Sequence, residues 1–256
     1  MKDHFQMRHF YIILKAAAIV AVLLLIKWLL YHYDNQVIEV VSPVVTGLVA
    51  GVIFTIAIIF SGVLTDYKES EKIPGELAVS MRSLYNDIQF LQVKDQKITD
   101  DLRAHVRELS QVINSNFKRN VWELDEIHPI LNHVAEDVNG LTKEGVAAPF
   151  IVKMRNELTN IDKIVCRIEI IMETSFIPAA YNIAVIATGA VLAVLAFLDM
   201  KYFYDGLLLF GAVSFVLTSL LMLIKDMDNP FEYGKKSSAD VDLNLLFDLE
   251  KEFENR

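Results

Sequence analysis

The chain has 256 residues, of which 54% are hydrophobic and 22% are charged, and its mean hydropathy is +0.36. A soluble domain of ordinary composition is less apolar, so the sequence must contain separate apolar and polar blocks. The formal net charge is −9 and no basic stripe is present, so we expect no nucleic-acid partner. The single cysteine, Cys166, excludes an internal disulfide framework and a multi-cysteine metal site.

The first apolar block predicts a membrane span over residues 10–33. Its central run, residues 16–30, is interrupted only by Lys27. Trp28, Tyr31 and Tyr33 are typical of an interfacial aromatic belt, and we expect the Lys27 ammonium group to extend to the same level. The link that follows is short, which favours an antiparallel hairpin into a second span.

The second apolar block is the stretch around which the rest of the chain is organised. From Val40 to Leu64 it contains no charged residue, histidine, asparagine or glutamine, and it is long enough to cross about 30 Å of hydrocarbon. Small residues such as Gly47 and Gly51 let other helices approach closely. Because the run passes directly into a charged stretch at residues 66–72, we expect the helix to continue into water. We expect several copies of it to line a conduction path.

Residues 66–175 form a polar block whose apolar residues keep helical spacing. One stripe, stepping by three or four residues, consists of Leu102, Val106, Leu109, Ile113, Phe117 and Val121. Such stripes predict amphipathic helices packed into a bundle. Breaks are predicted near residues 94–97, at His128-Pro129, and over residues 139–149. Cys166 lies within one helical pattern, and we interpret it as a small buried apolar residue.

Two more spans are predicted at residues 178–198 and 203–224, followed by an acidic tail with a short helix. The chain therefore divides into spans one and two (1–65), a cytosolic helical domain (66–175), spans three and four (176–226) and a tail (227–256). Of 24 lysines and arginines, only Lys27 and Lys201 face the short links between paired spans. The positive-inside bias predicts a multi-pass protein of the cell inner membrane with both termini cytoplasmic.

The fold class predicted is an all-α integral membrane protein with four transmembrane helices and a cytosolic helical bundle between the second and third. No nucleotide-binding, nucleophile-elbow or zincin motif is present, so we expect neither an enzyme nor a cofactor. His128 and His133 are five residues apart and cannot share a metal on one helical face. We therefore predict no metal centre.

Three short motifs carry a family resemblance. DNPF at residues 228–231 follows the last span, and DVDL at residues 240–243 leads into the acidic tail helix. With EKIP at residues 71–74 after the second span, these motifs resemble the bestrophins, a family of ion channels. The layout of two spans, a helical block and two spans is similar too. The chain is also similar to bacterial proteins that contain a bestrophin-like domain.

The resemblance implies a pentameric homo-oligomer with a central pore. Aligning the EKIP segment with its bestrophin counterpart assigns the neck to Val49, Ile53 and Ala57, with Ala50 and Phe54 beside this seam. The residues themselves leave a second face open, because it carries more small and polar groups: Glu39, Pro43, Gly47, Ala50, Phe54, Ile58 and Ser61.

Charged residues at either end of the chain suggest two further sites. Glu39 forms either a charged ring at the outer mouth or a solvated interfacial acid. Asp240 and Asp242 are possible cation ligands, and a solvated helix cap is the alternative role. The acidic run that follows NPF in bestrophins is replaced here by EYGKK at residues 232–236, which counts against calcium gating.

We therefore predict passive conduction of small ions by a homo-oligomer in contact with membrane lipids. Anion selectivity is implied by the resemblance, whereas Asp34, Glu39 and the acidic tail favour cations, so the ion stays open. The alternative is a membrane-anchored scaffold or signalling module that binds a protein partner through its cytosolic helices.

Overall fold

The computed structural model describes residues 2–33, 43–91, 93–173, 178–199, 202–234, 237 and 239–255, with side chains described from residue 11 onward. Within these ranges the chain forms helices and no β-strand. The helices are α1 (Lys2–His32), α2 (Pro43–Ser70), α3 (Ile73–Gln89), α4 (Gln96–Arg119), α5 (Leu124–Gly140), α6 (Ala148–Glu173), α7 (Pro178–Ala196), α8 (Phe203–Met227) and α9 (Asn244–Glu254).

Four apolar stretches lie in helices long enough to cross a membrane, and they belong to α1, α2, α7 and α8. The predicted all-α membrane protein with four apolar helices is thereby confirmed. The second span continues without a break, as expected, because α2 runs past Leu64 through the charged residues to Ser70.

The chain divides into two compact units. The membrane unit contains Met1–Tyr67, Ser175–Pro230 and Lys236–Ala239, and the polar unit contains Lys68–Thr174, Phe231–Lys235 and Asp240–Arg256. The sequence therefore leaves and re-enters each unit, and the last segment of the chain returns to the polar unit.

The membrane unit has one apolar cluster shared by α2, α7 and α8. It includes Ile56 of α2, Val191 of α7, and Phe210 and Leu217 of α8. The α1–α8 contact is close, since a Cβ atom at Gly211 would lie 3.3 Å from Cδ2 of Leu24. A glycine at this position lets the two helix backbones approach each other.

Lys27 is buried inside the membrane unit, which corrects the prediction that it extends to the interface. Its side chain is 2% exposed. Nζ donates hydrogen bonds to the carbonyl oxygens of Leu195 (2.8 Å) and Leu198 (3.1 Å), and lies 3.5 Å from that of Ala196. The last carbonyls of a helix lack partners within it and carry partial negative charge, so Lys27 caps the C-terminal end of α7.

The polar unit has a core of its own, built from the stripes that the sequence predicted except for Val121, which lies after the end of α4 and is 42% exposed. Leu102, Val106, Leu109 and Phe117 of α4 are fully buried. The stripe of α6 packs against those of α3 and α5, and α9 adds Leu246, Leu249 and Phe253. The ring of Phe253 stacks on that of Tyr85 in α3, with centroids 4.2 Å apart. The tail helix is therefore part of this core.

The predicted break at His128-Pro129 is wrong, because α5 continues from Leu124 through Pro129 to Gly140. The chain turns earlier, at Asn120, whose φ of 55° is left-handed. Asn116 holds this turn: its Oδ1 accepts from the Glu123 backbone N–H at 2.8 Å, at the start of α5. Pro129 is the sixth residue of α5 and lies inside the helix, so α5 continues although it lacks the backbone donor that would bond the Asp125 carbonyl. The other two predicted breaks are confirmed.

Cys166 is partly exposed, so the prediction of a buried apolar cysteine is wrong. The buried stripe of α6 passes through Ile161, Val165 and Ile168. Cys166 follows Val165 directly and is therefore rotated about 100° away from it, toward the edge of the stripe.

Candidate pore-lining helix

Within its membrane-unit part, helix α2 buries one narrow stripe, flanks it with half-buried residues such as Val49, and leaves the opposite side exposed in the protomer. The stripe consists of Val52, Ile56, Ile59 and Val63, which step by four, three and four residues into the membrane-unit cluster. Pro43 is the first residue of the helix, where a proline needs no hydrogen-bond acceptor. The buried stripe fixes which side of α2 remains available to lipid, water or another subunit.

The exposed side of α2 is rich in small residues. Its small members are Gly47, Ala50, Gly51, Ala57 and Ser61. A Cβ atom built at Gly47 or Gly51 meets nothing within 4 Å, so these two glycines are not needed for packing within the protomer.

Large apolar side chains are exposed on all four membrane helices, and on α2 they include Phe54 (67%) and Ile58 (58%). On the other three helices they include Leu14 (68% exposed), Ile186 (72%) and Leu208 (75%). Large aliphatic side chains suit contact with lipid, whereas small residues suit close contact with another helix. Small exposed residues also occur on α7, where Gly189 has nothing within 4 Å, so they mark possible helix contacts on more than one membrane helix.

Two threonine hydroxyl groups on α2 bond to the helix itself. Thr55 Oγ1 donates to the Gly51 carbonyl at 2.9 Å, and Thr65 Oγ1 donates to the Ser61 carbonyl at 2.9 Å. Such bonds to the preceding turn satisfy the hydroxyl without an outside partner. These two hydroxyl groups therefore stay hydrogen-bonded whether lipid, protein or water covers this surface of α2.

The predicted neck residues lie in two different environments. Ile53 is 40% exposed and Ala57 is exposed, whereas Val49 is half-buried against the membrane-unit cluster. Ala50 and Phe54, predicted beside the seam, are both exposed, Phe54 by 67%. The assignment of these five side chains to a pore wall stays a prediction.

The alternative face is exposed wherever the structure describes it, at Pro43, Gly47, Ile58 and Ser61. Glu39, predicted at the outer mouth, and Asp34 lie outside the described residues. Exposure alone therefore does not choose between the two faces.

Asp242 caps the beginning of α9, which is the alternative role that the sequence allowed. It is exposed, and its Oδ1 accepts a hydrogen bond of 2.9 Å from the backbone N–H of Asn244. Asp240 is half-buried. Neither aspartate belongs to the cluster of metal-ligating side chains found among the described residues. Phe231 of the DNPF motif is buried against Phe117, with ring centroids 5.7 Å apart.

The cluster of metal-ligating side chains lies elsewhere in the polar unit, and it was not predicted from the sequence. His128 of α5 meets Asp162 and Cys166 of α6, with the ligand atoms within 4.8 Å of one another. His133 is not a member and instead contacts His105, with ring centroids 5.6 Å apart. The four-residue spacing of Asp162 and Cys166 was a usable signal, since it places both on one helix face.

Solved structures resemble this chain over almost its whole length. A bacterial bestrophin homologue from Klebsiella pneumoniae has a TM-score of 0.78 at 14% identity, and the match covers 95% of this chain and 97% of that chain. Two variants of this homologue give TM-scores of 0.78 and 0.77 at 15% and 14% identity, each covering 95% of this chain and 98% of that chain. No protein-family model and no curated protein matches the sequence. The chain therefore has a bestrophin-like fold, as its short motifs predicted.

Proposed function

We propose that this chain forms a homo-oligomeric ring, with five subunits, that conducts small ions passively through a central pore lined by α2. The observation that carries the proposal is the bestrophin-like fold, which extends over 95% of the chain. The bestrophins that the sequence resembles are ion channels, and this function is transferred here by fold and motif together.

The composition of α2 supports an assembly of several subunits. Four helices of one subunit pack against each other and enclose no channel, so a pore needs several copies around an axis. The exposed side of α2 carries small residues, among them Gly47 and Gly51, with no neighbour in the protomer. A neighbouring subunit would supply the missing contacts.

The pore wall in this proposal is apolar at its narrowest point. Ile53 and Ala57 line the neck, Ala50 and Phe54 lie beside them, and Val49 contributes from its half-buried position. Apolar constrictions of this kind block ions by excluding water, and a small widening allows water and ions to pass. Glu39 would lie at the outer mouth, while both termini and the polar unit would lie in the cytoplasm.

Planar-bilayer recording of the purified full chain tests the proposal. The recording uses an asymmetric salt gradient, and mass photometry of the same sample gives the subunit number. We expect single-channel steps from a ring-sized particle, with a reversal potential that identifies the preferred ion. A silent bilayer from a monomeric or dimeric particle would contradict the proposal and leave partner binding by the polar unit as the remaining hypothesis.

A pair of matched isoleucine variants tests the neck. Ile53→Ala, alone or with Ala57→Gly, removes apolar bulk from the proposed constriction, and we expect larger or less regulated currents. Ile186→Ala removes the same atoms from an α7 side chain that is 72% exposed, and we expect unchanged currents. Equal effects of the two isoleucine substitutions would exclude Ile53 from the neck.

A further inference from the structure

A cluster of three chemically different ligands joins two helices of the polar unit. His128 Nε2 of α5 lies 3.4 Å from Asp162 Oδ1 and 3.9 Å from Cys166 Sγ, and this sulfur lies 4.0 Å from Asp162 Oδ1. The three side chains are partly exposed, so an ion from solvent can reach them. None of these residues belongs to the proposed pore or to the short motifs that carry the bestrophin resemblance.

The spacing of the three atoms matches the edges of a tetrahedron around zinc. With zinc–ligand bonds of about 2.0–2.3 Å, such a tetrahedron has a nitrogen–oxygen edge of about 3.3 Å and edges to sulfur of about 3.5 Å. The observed separations exceed these values by about half an ångström or less. Small side-chain rotations would therefore bring all three atoms to bonding distance of one ion.

The helices hold these ligands in position. Asp162 and Cys166 are separated by four residues on α6 and share one face. The backbone between them is anchored at Val165, whose carbonyl accepts a hydrogen bond of 3.1 Å from Trp122 Nε1, and the Val165 side chain is fully buried. The core of the polar unit therefore fixes the two helices that carry the three ligands.

An adjoining cavity gives access to the cluster. It has a volume of about 360 Å³, and His128 and Asp162 lie in its wall beside Asn132 and Thr159. Three protein ligands with a fourth position open to water is the usual arrangement of an open zinc site. The cavity is large enough to supply that water.

The ligand types select among metals. Calcium and magnesium prefer sets of oxygen ligands, whereas imidazole nitrogen and thiolate sulfur favour zinc and other transition metals. Zinc binds cysteine as the thiolate, so binding at this site would release the Cys166 thiol proton.

We propose that His128, Asp162 and Cys166 form a Zn²⁺ site that links α5 to α6, with water from the adjoining cavity as the fourth ligand. This site is independent of ion conduction and can be tested whether or not the chain forms a pore.

Cobalt titration of the full chain tests this site. The protein is purified in detergent without a polyhistidine tag and kept reduced with a non-thiol reductant. We expect Co²⁺ to produce a thiolate-to-cobalt charge-transfer band and tetrahedral visible bands at one ion per chain, and we expect Zn²⁺ to abolish both. Because Cys166 is the single cysteine, that charge-transfer band reports this site alone.

Four variants assign the ligands. Cys166→Ser should remove the charge-transfer band, and His128→Asn or Asp162→Asn should weaken Zn²⁺ binding by about tenfold or more in calorimetry. His133→Asn is the matched control, because His133 also lies on α5 but outside the cluster, and it should leave binding unchanged. Circular dichroism checks that each variant is folded.

Three results would overturn the site. They are a protein that gives no charge-transfer band, a band that survives both His128→Asn and Asp162→Asn, and Zn²⁺ binding that is lost in His133→Asn. If Cys166→Ser fails to fold, the His128 and Asp162 variants decide the question alone, because each retains the thiol that produces the band.

Discussion

The two units of the molecule bury their apolar side chains to different extents. In the polar unit, Leu102 and Leu109 of α4 are fully buried. In the membrane unit, Leu208 is 75% exposed and Ile186 is 72% exposed. Water drives apolar groups into a core, whereas lipid solvates them as well as protein does. The polar unit therefore completes its core within one chain, and the membrane unit relies on its surroundings to cover its surface.

Two glycines of the membrane unit show a similar contrast in their surroundings. Gly211 lies at a close helix contact, with Leu24 opposite it, whereas Gly51 of α2 faces open space. Both residues are glycines on apolar helices, and the sequence around them looks alike. Only the position of the neighbouring helix distinguishes a glycine used within the protomer from one available to another subunit.

The largest expected effect contrasts two leucines. Leu109→Ala leaves a cavity in the polar core and should lower the free energy of unfolding by about 2–5 kcal/mol. Leu208→Ala removes the same atoms from an exposed position and should change it by less than about 0.5 kcal/mol. Denaturant unfolding in detergent, followed by helical circular dichroism, measures both.

Tryptophan fluorescence assigns this loss to a unit. The chain has two tryptophans, Trp28 in the membrane unit and Trp122 in the polar unit. Trp28 is half-exposed, so Trp28→Phe provides a mild background in which Trp122 reports on the polar unit alone. Equal losses from the two leucine variants would mean that the surface at Leu208 is buried in solution, and the contrast between the units would fail.

The second prediction contrasts the two glycines. Gly211→Leu forces a side chain against Leu24, and this overpacking should cost about 1–3 kcal/mol of stability. A Cβ atom at Gly51 meets nothing within 4 Å, so we expect the folded protomer to tolerate Gly51→Leu. In the proposed ring, however, the added side chain would separate the subunits, and we expect smaller particles in mass photometry. A Gly51→Leu protein that remains ring-sized would show that this part of α2 makes no subunit contact.

Sequence patterns predicted the elements that depend on neighbours along the chain. The α4 stripe was visible because its residues step by three or four, and burial of Leu102 to Phe117 follows from that spacing. The break at His128-Pro129 was misplaced because a proline inside a helix usually breaks it, whereas α5 continues through Pro129. The turn instead depends on Asn116, whose role is visible only from its hydrogen bonds.

Features that join distant segments could not be read from the sequence. Lys27 finds its acceptors 168–171 residues later, at the end of α7, so its burial required the tertiary structure. The same holds for His128, which joins Asp162 and Cys166 from another helix. The pore-lining face of α2 could not be predicted for a different reason, because in the proposed ring contacts with other subunits determine which face lines the pore. In the sequence of one protomer, only the residue types on each face of α2 bear on which face lines the pore.

The smallest expected effect concerns how the tail helix is held on the polar unit. Arg82 of α3 donates a 3.0 Å hydrogen bond from Nη2 to Glu252 Oε2 of α9, and both side chains are partly exposed, by 38% and 29%. Partly exposed ion pairs contribute about 0.2–1 kcal/mol, because water and salt screen the attraction. A double-mutant cycle with Arg82→Met and Glu252→Gln, measured through Trp122 in the Trp28→Phe background, should give a coupling energy in this range that falls as salt is added.

Phe253→Ala, which removes the stacking on Tyr85, should cost several times more stability than the loss of this ion pair. A coupling energy larger than the cost of Phe253→Ala would mean that charge pairing, rather than apolar burial, holds α9 in place. The core of the polar unit would then close mainly by burial within α3 to α6, with the tail attached to it electrostatically.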